Sequence, residues 1–223
     1  MNIGRLTESG KARSEIRQQE RRRRYDSPRR REQAEATRAQ IAAAARRLFL
    51  AYGWSGTRMR DVAQEAGVAE PTVYAVYGSK VGLARALVDA VDAAAHAAGS
   101  VEDVLAAGED PIAQLAAMIG TDRRIFERGG DVLALLHDAG QSQPELKTAY
   151  DDGRHRADQL HHGVFCTWPV QWLREGVDAA YAADTYAALC NIDVYRVLTE
   201  ERGWSPDDVE RWWARSLARL LLS

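Results

Sequence analysis

Residues 57–80 read TRMRDVAQEAGVAEPTVYAVYGSK, and the order of small, turning and branched residues in that stretch decides the fold. Thr57 can cap a helix whose apolar positions Met59, Val62, Ala63 and Ala66 share one side, and Gly67 ends it. Glycine accepts the positive φ that a tight turn between two crossing helices demands. Pro71 then suits the first turn of a second short helix, where its missing N–H removes no hydrogen bond. Val68, Val73 and Val76 supply apolar contacts that hold the pair at a fixed angle. This is the internal logic of a helix-turn-helix, whose second helix lies in a DNA major groove. Lys80 falls at the N-terminus of the next helix, where the macrodipole disfavours a cation, and a phosphate resolves that conflict. Thr72, Tyr74 and Tyr77 crowd hydroxyls onto the short helix, which suits phosphate and base contacts. Tyr77 reads equally well as a core aromatic.

Working upstream, Gly53 is a helix stop, and Ile41, Ala45, Leu48 and Tyr52 recur at helical intervals after Thr37 and Gln40, which have the spacing of a capping box. Ser27-Pro28 predicts a break before that helix. Residues 1–31 hold eleven basic groups against four acidic ones, a charge of +7, so a formal total of −2 leaves −9 on the other 192 residues. A basic arm on an acidic body points to a polyanion at one end only, or else to a solvated tail. Downstream, Gly78-Ser79 supplies a break and a cap before a longer helix through Val81, Leu83, Leu87, Val88 and Val91. From Val101 onward the pattern is helical, with breaks expected near 108–111, 129–130, 141–144, 163–169 and 202–206. No segment alternates with period two, so the chain reads as all-α.

Apolar residues make up 46% and charged residues 28% of the 223, the composition of a globular protein. The apolar runs fall far short of the roughly 20 residues a membrane span needs. The charged N-terminus lacks the apolar stretch of a secretion signal, so the cytoplasm is the expected location. Cys166 and Cys190 are expected to be reduced, packed thiols, and no spacing of Cys and His makes a metal site; His161-His162 point in different directions on a helix. No glycine-rich phosphate loop or nucleophile elbow occurs, so neither an enzyme nor a cofactor is expected.

The stretch Gly53, Thr57, Asp61-Val62-Ala63, Ala66-Gly67-Val68, Pro71-Thr72-Val73-Tyr74, Tyr77 and Ser79-Lys80 resembles the DNA-binding domain of the TetR family of bacterial regulators, over about residues 37–89. The resemblance implies three parts: a basic arm at 1–31, a three-helix DNA-binding domain at 32–89, and a larger helical ligand-binding and dimerisation domain at 90–223. It implies that Thr57, Tyr74 and Lys80 bind phosphates and that Arg60, Glu70, Pro71, Thr72 and Ala75 lie near base edges. Arg58 and Tyr77 complete the set of expected DNA contacts. Ala69 stands where the family commonly has a serine cap, and Val76 where a contact residue is frequent. Glu70 can accept a hydrogen bond from a cytosine amino group or serve as a first-turn carboxylate favoured by the dipole.

The resemblance further implies a homodimer on a near-palindromic double-stranded operator and release, as from a repressor, by a small-molecule effector. The alternative is a non-specific or architectural DNA binder that relies on the arm. Ser205-Pro206-Asp207-Asp208 starts a last helix whose apolar face includes Val209, Trp212, Trp213, Leu217 and Leu220. A preceding helix over about 178–202 offers Ile192 and Tyr195. The resemblance implies that these two helices pair with their copies, which gives Ile192, Tyr195, Trp212, Trp213, Leu217 and Leu220 as the expected dimer interface, with intrachain core as the other reading. His161, His162 and Cys190 join Phe126, His137, Tyr150, Phe165, Trp168 and Tyr186 as a mixture of aromatic bodies and polar tips. The last six are the expected lining of a pocket for an apolar or aromatic effector.

Overall fold

The computed structural model describes the backbone of residues 4–96 and 100–223 and the side chains of 29–91, 93 and 103–223. Every element in them is helical, apart from one isolated bridge between Leu173 and Leu222. The first helix, α1, spans Gly4–Gly56, and its backbone leaves helical geometry at Gly53, with φ 69°. The expected break at Ser27-Pro28 does not occur. Proline in a helix interior removes one hydrogen bond, and the arginines, glutamates and glutamines on both sides are good helix formers that carry the helix past it. Thr37 is therefore inside the helix and not its cap: its hydroxyl donates back to the Gln33 carbonyl at 2.9 Å. The arm's side chains through Pro28 lie outside the described residues.

Three short steps follow: α2 (Met59–Glu65), α3 (Glu70–Tyr77) and α4 (Lys80–His96). The turn between α2 and α3 sits on Gly67, at φ 66°. Ser79 caps α4, its Oγ accepting the Gly82 N–H at 2.9 Å. Ile41, Ala45 and Phe49 of α1 meet Val62, Ala63, Val73, Leu83 and Leu87 in a dry core.

After α5 (Ser100–Ala106), Asp110 caps α6 (Pro111–Gly140) by accepting the N–H groups of Ile112 and Ala113 at 2.9 and 3.1 Å. At 30 residues, α6 is about 45 Å long and forms the spine of the second half. The expected break at Gly129-Gly130 is absent, because those glycines serve packing. A Cβ on Gly129 would lie 2.3 Å from Val91 Cγ1, so only glycine lets α4 approach here. Then come α7 (Pro144–Cys166), a 3-10 turn at Val170–Trp172, α8 (Ala179–Leu189), α9 (Ile192–Arg196), a π-turn at Val197–Glu201, and α10 (Pro206–Leu221). The single helix expected over 178–202 is split because Asn191 caps a new start, accepting the Val194 N–H at 3.0 Å. Ser205 and Asp208 form the capping box of α10. Cys166 and Cys190 are both free, but only Cys190 is buried, so the expectation of two packed thiols holds for one.

Burial also corrects the expected dimer face. Ile192, Tyr195, Trp213 and Leu217 are between 0% and 7% exposed within one chain. On α10 the positions 209, 213, 217 and 221 recur every fourth residue and turn toward α6, so this stripe is intrachain core. Trp212 is half-buried beside Trp204, and Leu220 is exposed.

Candidate nucleic-acid interface and effector cavity

On α3, Val73 faces wholly inward, which by helical geometry turns Glu70, Pro71, Tyr74 and Ala75 outward; all four are exposed. Thr72 is half-buried at the margin. Arg58 and Arg60 are exposed at the start of α2, with Arg60 Nε 3.4 Å from its neighbour Asp61. These residues form the outward surface of the helix-turn-helix that the sequence predicts.

Three of the expected DNA contacts are held otherwise. Thr57 is 3% exposed and not a helix cap; its hydroxyl lies 3.0 Å from both the Leu48 and Gly53 carbonyls, closing the end of α1. Arg58 takes the cap position, its N–H donating to Asp61 Oδ2 at 3.2 Å. Tyr77 donates its hydroxyl to the Arg38 carbonyl at 2.8 Å, which ties α3 to α1, and burial pushes its pKa up. Lys80 donates to the Trp54 carbonyl, and its Nζ lies 4.1 Å from the Trp54 ring centroid. The conflict between the lysine and the helix dipole is thus met by a carbonyl and an aromatic face, and burial lowers the lysine pKa.

A cavity of about 810 Å3 opens between α5, α6 and α7. Its wall is largely apolar, including Val104, Leu105, Met118, Ile125, Leu160 and Val164. Polar groups enter at Gln114, Thr121, Asp122 and His161, with Arg156 and Gln159 at its exposed edge. A smaller space of about 90 Å3 adjoins it through Asp122, Ile125, Gly153, Ala157 and His161. Phe126 and Tyr150, two of the expected ligand residues, line this side space. The other four do not line either cavity. Phe165, Trp168 and Tyr186 are buried behind the wall, where each packs ring to ring. His137 stacks on Tyr150 at 5.0 Å and faces Asp193 at 3.6 Å.

The buried aromatics support the polar tips. Trp168 Nε1 donates to Gln114 Oε1 at 2.6 Å, and the Tyr186 hydroxyl donates to Asp122 Oδ2 at 2.9 Å. His161 Nε2 lies 3.7 Å from the same carboxylate oxygen. Burial pulls the His161 pKa down to about 4, so the imidazole is neutral at physiological pH. Sequence reasoning missed Asp122 and Gln114. The available signal was register: Asp122 occupies the α6 stripe of Leu115, Met118 and Ile125, where a charged residue breaks the apolar pattern. Among the described residues no cluster of His, Cys, Asp or Glu fits a metal ion, and no helix is long and apolar enough to cross a membrane.

Comparison with known proteins gives a family-model match within the helix-turn-helix region and a fold for most of the chain. Residues 41–87 match the model of bacterial regulatory proteins of the tetR family. NalD of Pseudomonas aeruginosa, the secondary repressor of the MexAB-OprM multidrug efflux pump, superposes with TM-score 0.69 at 22% identity over 85% of this chain and 98% of its own. A transcriptional regulator from Saccharomonospora viridis, solved in complex with choline, gives TM-score 0.66 at 21% identity over 83% and 97%. A TetR-family regulator from a Rhodococcus species gives 0.66 at 18% over 84% and 99%. No curated protein sequence matches the chain.

Proposed function

We propose that this chain is a TetR-family transcriptional regulator, that it binds a specific operator as a homodimer, and that a small molecule in the α5–α6–α7 cavity releases it, as for a repressor. The observation that carries the reading is the bare outer surface of α3: Glu70, Pro71, Tyr74 and Ala75 are exposed while Val73 anchors the helix, so side chains are free to meet base edges. Thr72, Arg58 and Arg60 flank that surface. Thr57, Tyr77 and Lys80 act by holding the helices in place, with the partly exposed Lys80 ammonium near enough to the surface to meet a phosphate.

Dimerisation is assigned to the outward sides of α8 and α10, which pack together and expose Tyr181 and Leu220 beside the half-buried Trp212. A two-fold dimer presents its recognition helices to half-sites about one helical turn, near 10 base pairs, apart or a multiple of that. The neighbour in complex with choline supports a small-molecule effector for this fold. Coupling runs through α6. Its first half lines the cavity, while further along it Asp131 takes Arg46 of α1 at 2.7 Å and Gly129 receives Val91 of α4. An effector that prefers one position of α6 therefore biases both helices of the DNA-binding domain.

The test is a competition mobility shift with DNA flanking the chain's own gene against random duplex. A specific regulator prefers its operator by roughly 10³–10⁷. Equal competition by random DNA would point to an architectural binder and overturn the reading.

A further inference from the structure

We infer that the effector is uncharged and aliphatic: a body of saturated carbon with at most one neutral polar end, such as a long-chain alcohol, an ester or a terpenoid. The inference rests on the reading of the α5–α6–α7 cavity as the effector site. The wall of that cavity is built mainly of aliphatic side chains, Val104, Leu105, Met118, Ile125, Leu160 and Val164. Among the described residues the only ring at the wall is the His161 imidazole, and it is packed on Tyr186 with ring centroids 4.4 Å apart. Residues 92–102, whose side chains are mostly outside the described set, include no Phe, Tyr or Trp. Phe126 and Tyr150 face only the smaller adjoining space. An aromatic ligand gains from ring-to-ring contact beyond the area it buries, and this wall has no ring left to give it. A saturated chain needs only apolar area, which the aliphatic side chains supply.

The polar groups of the wall are committed to the chain itself. Gln114 accepts the Trp168 indole N–H at 2.6 Å and donates to the Gly108 carbonyl. Thr121 donates to the Ala117 carbonyl at 3.0 Å and accepts from Arg124 Nη2 at 2.9 Å. Asp122 accepts the Tyr186 hydroxyl at 2.9 Å. At the exposed edge Arg156 pairs with Asp89 at 3.3 Å, and Gln159 Nε2 lies 3.0 Å from His155 Nε2. A ligand that carries a full charge against this wall gives up water and meets donors and acceptors already in use, so its desolvation is poorly offset. A methylene has no such penalty, and each one buried tightens binding by about fourfold. The volume of about 810 Å3 lies in the range of a drug-sized ligand, so a chain of about ten carbons has room against Leu160 and Val164.

Hexanol, octanol and decanol, titrated calorimetrically into the full chain at pH 7.5, test the apolar part: the dissociation constant should fall by about fourfold per methylene. Decanoate and decyltrimethylammonium, which carry a comparable chain, should each bind at least about tenfold more weakly than decanol. The planar 1-pyrenemethanol should also bind more weakly. Gly163 of α7 borders the cavity, and a Cβ there meets nothing within 4 Å. Gly163→Phe therefore adds a ring at the wall without harming the helix, and should weaken decanol by about tenfold or more. The probe comparisons use the unmodified chain and stand even if that variant does not fold. A flat or absent alcohol series, a charged probe that matches decanol, or pyrenemethanol binding tighter overturns the ligand class, as does decanol binding that a folded Gly163→Phe leaves unchanged. Mobility shifts with decanol read the effector role separately: the expected binding pattern with no release of DNA leaves the ligand class standing and removes the cavity as an effector site.

Discussion

Leu217→Ala separates the core of one chain from the interface between two. Leu217 is fully buried within its own chain, on the α10 stripe that runs through Val209, Trp213 and Leu221. Truncating a leucine in such a site costs about 2–5 kcal/mol, a large share of the roughly 5–15 kcal/mol that holds a domain folded. At about 2–4 °C per kcal/mol for a chain of this size, the melting temperature should fall by roughly 4–20 °C. Leu220, one turn round the helix and 44% exposed, should behave oppositely. Leu220→Asp leaves the monomer within about 0.5 kcal/mol of its stability but raises the dissociation constant of the dimer. Urea unfolding followed by circular dichroism over a hundredfold range of concentration, paired with sedimentation, reads both quantities. If Leu217→Ala melts like the unmodified chain and sediments as a monomer, α10 presents the opposite face and the assignment of core and interface is reversed.

Removing residues 1–31 should weaken DNA binding and flatten its salt dependence by about 0.9 in the log–log slope for each phosphate the arm neutralises, with operator preference unchanged; an unaltered slope makes the arm a solvated tail. Arg60→Ala and Thr72→Ala should relax base preference with little change in slope, and a fall in affinity uniform across sequences would show them to be phosphate contacts instead. His161 has a folded pKa of about 4, below its ordinary 6.5, because burial disfavours the imidazolium. Its contribution is complete above pH 6.5 and is lost as pH falls through the window to 4, by up to roughly 3 kcal/mol, since only the unfolded chain takes up the proton there. Unfolding midpoints at pH 7, 5.5 and 4.5 should show that slope, and His161→Gln should lack most of it; an identical slope in the variant removes His161 as its source. Asp131→Asn should leave operator affinity near its original value but reduce the effector's ability to release DNA, and full release in the variant would clear the Arg46 bridge of any part in the coupling.

What was legible in the sequence was local, and what was hidden came from distant parts of the chain. Gly67, Pro71 and the Ser79 cap act on their own neighbours, so the helix-turn-helix could be placed to within a residue or two. Lys80 showed as a misfit at a helix start, but its partner Trp54 arrives from 26 residues upstream and no periodicity announces it. Gly129 carries the same lesson: in isolation it reads as a break, and only the arrival of Val91 makes it a contact that demands glycine within an unbroken helix. A ligand pocket was sought among large aromatic residues, of which Phe126 and Tyr150 line the smaller cavity while three others lie behind the wall. Buried Trp168 and Tyr186 hold Gln114 and Asp122 at the surface of the cavity, and Phe165 packs against both rings. The α10 stripe stayed ambiguous for a related reason: an apolar stripe on a helix has no mark that says whether its own chain or a second copy covers it, and burial assigns Trp213 and Leu217 to the first.

The placement of Gly129 bears on how the two halves communicate. A side chain at the α4–α6 crossing would act as a compressible spacer, able to absorb a small displacement by changing rotamer. Glycine brings Val91 against the backbone of α6, so the contact has no soft element to yield. Two further groups clamp the same region of α6 to α1: Arg46 donates to the Arg128 carbonyl at 2.6 Å and, through Nε and Nη2, to the Asp131 carboxylate at 3.0 and 2.7 Å. Both clamps lie within about three turns of Asp122, along a helix that cannot shorten without breaking its own hydrogen bonds. A shift of α6 at the cavity wall must then move α1 and α4 together, and packed contacts of this kind switch between arrangements more readily than they deform. The short α2 and α3, held to those two helices by Thr57, Tyr77 and Lys80, follow as a body. In the proposed dimer, residues turned away from DNA would thus help set the spacing at which two recognition helices reach it, though they touch no base.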